Sequence, residues 1–203
     1  MSLRLLQHRS DSGERAVIAA QGDTAYLVPG FASIRALALH AIAQGIDLAQ
    51  AVTDAGQGSA IDIAAEYEAG RLLAPIDHDD GAHLLMTGTG LTHLGSAEGR
   101  DKMHKAATSG DLTDSMRMFL MGVEGGKPAD DGIGAQPEWF YKGDGQILVD
   151  PGQDFAMPAF AEDGGEEPEV AGIYLIDADG TPVRLGFAIG NEFSDHITER
   201  GNY

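Results

Sequence analysis

The chain has 203 residues, 43 % of them hydrophobic, and its 32 acidic against 13 basic side chains give a formal net charge of −19. That apolar content excludes general disorder and suits a soluble globular protein, no apolar run approaches the roughly 18 residues of a membrane span, and a negative field of this size repels nucleic acid. Cysteine is absent, which excludes disulfides, thiolate chemistry and Cys-type zinc sites, so any metal must sit on oxygen or imidazole. Most of the carboxylates read as solvated surface. The N-terminus, "MSLRLLQHRSDSGERAVIAA", has no apolar signal region, which points to a cytoplasmic protein.

From Leu3 to about Pro75 a short β section precedes helices. "RAVIAA" and "TAYLV" read as strands joined by a "QGD" hairpin turn. "SIRALALHAIAQGIDLAQAV" has helical spacing with Gly45 as a stop, and "AIDIAAEYEAGRLL" reads as a second amphipathic helix. Residues 1–76 are therefore predicted to form a small α+β domain. "APIDHDDG" marks the crossing into a second region, 77–203, and its "DHDD" reads as a solvated turn with a cap rather than a metal cluster. That region opens on an apolar strand and a Gly-rich turn, "AHLLMTGTGLTHLGSAEGRD". A Met-rich apolar segment, "MRMFLM", suits core or an interface, and from "PEWFYK" onward short strands and turns dominate. The expected class is α+β, with a β-rich second domain.

The sharpest chemical signal lies in "GGEEPEVAGIYLIDADGTPVRLGFAIGNEFS". Taking Asp179-Gly180 as the centre of a two-residue turn makes paired positions sum to 359. Counting back along the ladder puts Glu167 opposite Glu192, with Glu169 on the same face as Glu167 and Glu166 on the other. Directly opposed like charges destabilise a ladder unless neutralised. A hard divalent cation such as Mg²⁺, Mn²⁺ or Ca²⁺ would do so; in the alternative, the strands fray before Gly164 and the glutamates point to water. Pro168 argues against regular pairing there.

"PEWFYK", the "EPE" pair and "GNEFS", in that order and spacing and preceded by "LLAPID" and "MTGTGLTHLGSAEGRD", resemble the fumarylacetoacetate hydrolase superfamily, over essentially the whole chain. The resemblance implies a small N-terminal α/β domain followed by a β-rich, mixed-sheet catalytic domain of that type. It also implies Mg²⁺ or Mn²⁺ held by Glu167, Glu169 and Glu192, with a small-molecule 2-oxo acid chelating the metal. The third ligand is usually Asp in the family, and Glu here adds one methylene. The water-activating "N-Y-x-D-H" motif of the hydrolases is not reproduced, and the Gly-rich segment looks most like the GguC-type branch, associated with dehydration of 2-keto-3-deoxy sugar acids such as 2-keto-3-deoxy-L-arabonate. On that footing His93 and Glu98 are the candidate proton carriers, Thr92 and Ser96 candidate donors to substrate oxygens, and Lys142 a candidate partner of the substrate carboxylate. A homodimer is implied, and neither nucleic acid nor membrane is an expected partner. The family sequence continues past "NEFS" through a Lys-bearing loop and further strands, so the chain reads as a shortened form. Two other functions stay open: C–C hydrolysis of an acylpyruvate or β-diketo acid, and a non-catalytic binding protein of a sugar pathway.

Overall fold

The structure, a computed structural model, describes residues 2–89, 114–129, 131–135 and 139–201. It contains both helices and sheets, as an α+β chain should. Two compact units emerge, Met1–Asp79 together with Leu148–Tyr203, and Asp80–Ile147. The break after Asp79 falls close to the boundary at residue 76, while residues 148–203 group with the N-terminal segment.

In the first unit, β1 (Arg4–Arg9), β2 (Arg15–Gln21), β3 (Thr24–Val28) and β4 (Leu72–Leu73) form an antiparallel sheet in the order β3-β2-β1-β4. The "QGD" turn is as expected: Gln21 pairs with Thr24, and Gly22 takes the left-handed φ of 58° that so tight a reversal needs. Helices α1 (Ile34–Gln44) and α2 (Leu48–Ala55) cover one face of the sheet. Val17, Ala19 and Val28 from the sheet pack there with Ile34, Leu37, Ala41, Ala51 and Val52. Local chemistry sets the helix ends. Ser33 caps α1 by accepting from Ala36 N at 3.1 Å. Gly45, in the left-handed region, closes it with bonds from Gly45 N to Ile42 O and from Ile46 N to Ala41 O, both 3.1 Å. Asp47 then starts α2 at once, accepting from Gln50 N at 2.7 Å.

The predicted long helix over "AIDIAAEYEAGRLL" is corrected. Helix α3 spans only Ile63–Glu68 and buries none of its residues. Gly70 breaks it with φ 66°, and Leu72 and Leu73 leave the helix to pair with His8 and Gln7. As strand residues both leucines are buried, a gain that helical periodicity did not weigh against the sheet. Charged groups tie α3 to β1. Glu66 accepts from His8 Nε2 at 2.7 Å and from Arg71 Nε and Nη2 at 2.6 and 3.0 Å. Hydrogen bonding from Arg71 leads the causes that lower the Glu66 carboxyl to about 2, the bond from His8 adding to it against the opposing effect of burial.

Gln7 is fully buried on the helix-covered side of β1. Its amide donates to Ala74 O at 2.8 Å and its carbonyl accepts from Ile34 N at 2.9 Å. One side chain thus satisfies an orphan donor at the start of α1 and the carbonyl just past β4.

The second unit contains β5 (Leu85–Thr89) paired antiparallel with β6 (Trp139–Asp144), and helix α4 (Asp114–Gly125). Both strands were expected from the sequence, and the Met-rich segment lies in α4. Asp80 caps the short turn Gly81–His83 by accepting from Ala82 N at 3.1 Å, in keeping with the cap assigned to "DHDD".

The remaining strands, β7 (Gly165–Ile176) and β8 (Pro182–Ser194), form a long hairpin in the first unit, followed by helix α5 (His196–Gly201).

Two outcomes are expected. Replacing Gln7 with Leu strands two buried backbone groups and should lower the unfolding free energy by about 2–3 kcal/mol in urea titrations. Because the Glu66 carboxyl is lowered in the folded state, its contribution is complete above its ordinary value of 4.5 and is lost as pH falls from there towards 2. Melting temperatures recorded between pH 6 and pH 2.5 should therefore fall less steeply for Glu66→Gln than for the parent.

Candidate metal centre

The hairpin that carries the acidic residues does not turn where the sequence suggested. Asp177 N donates to Thr181 O at 3.0 Å and Gly180 N to Asp177 O at 3.1 Å, so three residues, Ala178, Asp179 and Gly180, close the loop. The Asp177 carboxylate accepts from Asp179 N and Thr181 N at 2.9 and 2.8 Å, and Gly180 supplies the positive φ, 82°. A side chain able to bridge its own loop selects the longer turn. Next to this turn, paired positions sum to 358, as in Leu175 with Val183. A bulge at Ile173/Tyr174 then adds one residue to β8 and restores 359, as in Ile173 with Gly186. The two-residue turn is therefore wrong, yet the pairing derived from it holds at the base: Glu167 faces Glu192. Pro168 does not interrupt the ladder and lies opposite Asn191.

Glu167, Glu169 and Glu192 converge. One carboxylate oxygen from each lies within 4.8 Å of the others. Two are half-buried and Glu169 is exposed. Glu166 pairs with Phe193, and strand alternation puts it on the opposite face of the ribbon. That opposite face is apolar and exposed, with Val170, Tyr174, Ile176, Phe187 and Ile189 all more than half accessible.

The base of the hairpin is the best-braced part of it. Phe193 stacks on Phe155 with ring centroids 5.2 Å apart and planes 9° from parallel. Beyond β8, Asp195 accepts from Ile197 N and Thr198 N at 3.1 and 2.9 Å and from Thr198 Oγ1 at 2.5 Å, and it reaches across to Glu162 N at 2.9 Å. These bonds, that of the Thr198 hydroxyl first, lower the Asp195 carboxyl to about 2. With its backbone so fixed, His196 brings Nε2 to 3.1 Å from Glu167 Oε1 and Nδ1 to 3.5 Å from Asp163 Oδ2. The sequence alone gives His196 no role. The signal was present in the same count, because 163 and 196 also sum to 359.

Comparison with protein-family models, with curated proteins and with solved structures finds no match to this chain.

What the centre can do therefore rests on its donor set. Three carboxylates with a convergent oxygen from each suit a hard divalent ion such as Mg²⁺ or Mn²⁺, and three ligands leave coordination positions for oxygens of another molecule. Thr92, His93, Ser96 and Glu98 lie outside the described residues. Lys142, on β6 of the second unit, holds its ammonium 5.3 Å from the centre of the Phe140 ring, and both side chains lie against Gly88, where any Cβ would collide with them.

Metal binding and repulsion make opposite demands on Glu192. In metal-free buffer of low ionic strength, Glu192→Gln removes a like-charge pair and should raise the melting temperature. Adding Mn²⁺ should raise the melting temperature of the parent and leave that of Glu192→Gln where it was.

Proposed function

We propose that this chain is a metal-dependent lyase of the fumarylacetoacetate hydrolase type, removing water from a 2-keto-3-deoxy sugar acid. The observation that carries the proposal is the convergence of Glu167, Glu169 and Glu192 within 4.8 Å, the three positions at which the family resemblance places metal ligands. Held by these residues, Mg²⁺ or Mn²⁺ would supply a Lewis acid that eases loss of a proton from the carbon next to the substrate's keto group.

The chain's own contribution is to hold and to orient. The ladder sets Glu167 against Glu192, and strand alternation brings Glu169 to the same face. Three carboxylates around a dication would sum to a net charge of −1, so charge attraction alone would not hold an anionic 2-oxo acid there. A metal held by these three residues would keep coordination positions that suit the carboxylate and keto oxygens of such an acid. His93 and Glu98 take the proton-moving roles and Thr92, Ser96 and Lys142 the substrate-binding ones, on the resemblance alone.

Glu169→Gln should abolish tight Mn²⁺ binding in calorimetry, and an unchanged affinity would remove the metal from the proposal. With 2-keto-3-deoxy-L-arabonate and an acylpyruvate offered in parallel, loss of water from the first is the expected turnover. Cleavage of a C–C bond in the second would make the protein a hydrolase instead, and ligand binding without turnover of either would make it a binding protein.

A further inference from the structure

The geometry points to His196 as a positioning residue that confines Glu167 to ligation through one oxygen and so biases the centre towards Mg²⁺ and Mn²⁺ over Ca²⁺. This inference rests on the metal-centre proposal and adds to it a residue and a selectivity.

Three observations lead there. A carboxylate only accepts, so the 3.1 Å contact between His196 Nε2 and Glu167 Oε1 is a hydrogen bond donated by the imidazole. The donor is itself fixed, because His196 begins α5 directly after Asp195, whose carboxylate binds the amides of Ile197, Thr198 and Glu162. The ring also has a prepared seat. At Gly165 a Cβ would collide with Cε1 and Nδ1 of the His196 imidazole, so the ring occupies space that glycine alone leaves open.

The chemical consequence concerns denticity. With Oε1 engaged by an N–H, Glu167 meets a cation best through its other oxygen. Small octahedral ions are satisfied by single oxygens, whereas Ca²⁺ takes more ligands at longer distance and commonly uses a carboxylate in bidentate fashion. Hydrogen-bonding partners of metal ligands also set affinity, and their loss typically weakens binding by about 10–100-fold.

The test is calorimetric titration of the full chain with Mn²⁺ and, separately, with Ca²⁺. The parent should bind Mn²⁺ more tightly than Ca²⁺. His196→Ala should lower Mn²⁺ affinity by about 10–100-fold and Ca²⁺ affinity by much less, shrinking the ratio. His196→Gln, which can again donate to Glu167, should restore part of it. Gly165→Ala keeps every donor and acceptor but displaces the ring, and should shift the ratio in the same direction as His196→Ala. Circular dichroism of each variant identifies any that does not fold, and the remaining variants then decide. An unchanged Mn²⁺ to Ca²⁺ ratio in the folded variants overturns the role of His196, while loss of binding in Glu169→Gln would still uphold the centre. Failure of the parent to bind either ion overturns both.

Discussion

Register in the β7–β8 ladder is the constraint on which the candidate centre depends. Side chains alternate faces with a period of two, so a slip of one residue in either strand would send one of the opposed glutamates to the far side of the ribbon. The ladder keeps Glu167 against Glu192 through two local irregularities of opposite effect, the three-residue loop at the tip and the bulge at Ile173/Tyr174. Between bulge and base the pairing runs unbroken from Ile173–Gly186 to Gly165–Ser194, and Asp195 with the stacked pair Phe155 and Phe193 brace the end where the carboxylates sit.

The N-terminal sheet shows the same use of a few polar groups to fix what apolar packing leaves loose. Helices α1 and α2 bury an apolar side and need little else. Helix α3 buries none of its residues and is located by Glu66 between His8 and Arg71. Gln7 joins the start of α1 to the end of β4 from inside the core. Buried amides and charges that are fully partnered specify one arrangement, because any other leaves them unsatisfied.

Elements with strong local signals were legible in the sequence. Gly45 marks the end of α1, Gly22 marks the β2–β3 turn, and apolar segments on either side of an Asp-Gly turn signal mark β7 and β8. The neighbours of Leu72 and Leu73 continue a helical pattern, and what overrides it is pairing with β1, more than sixty residues away in sequence. The hairpin tip was misjudged because Asp179-Gly180 is a strong two-residue turn signal, and the competing loop depends on the Asp177 side chain folding back on two amides. Of the centre, the three glutamates follow from a count that starts on the wrong turn, and the count holds at the base because the bulge at Ile173/Tyr174 offsets the extra loop residue. His196 was not legible, because a histidine just past a strand carries no mark of its own until the ladder is extended beyond its last paired residue.

The paired irregularities of the hairpin also separate its two halves as far as sequence change is concerned. Were the intact tip to close instead as a two-residue turn on Asp179-Gly180, the outer pairs would shift to a sum of 359 and the bulge at Ile173/Tyr174 would disappear with that shift, leaving Glu167 and Glu192 undisturbed. The outer third of the ribbon is in this sense a replaceable cassette. Its length and loop can drift in compensated pairs, while the inner two thirds, from Gly165 to Ile173 and from Gly186 to Ser194, admit no net insertion without dismantling the convergence of the glutamates.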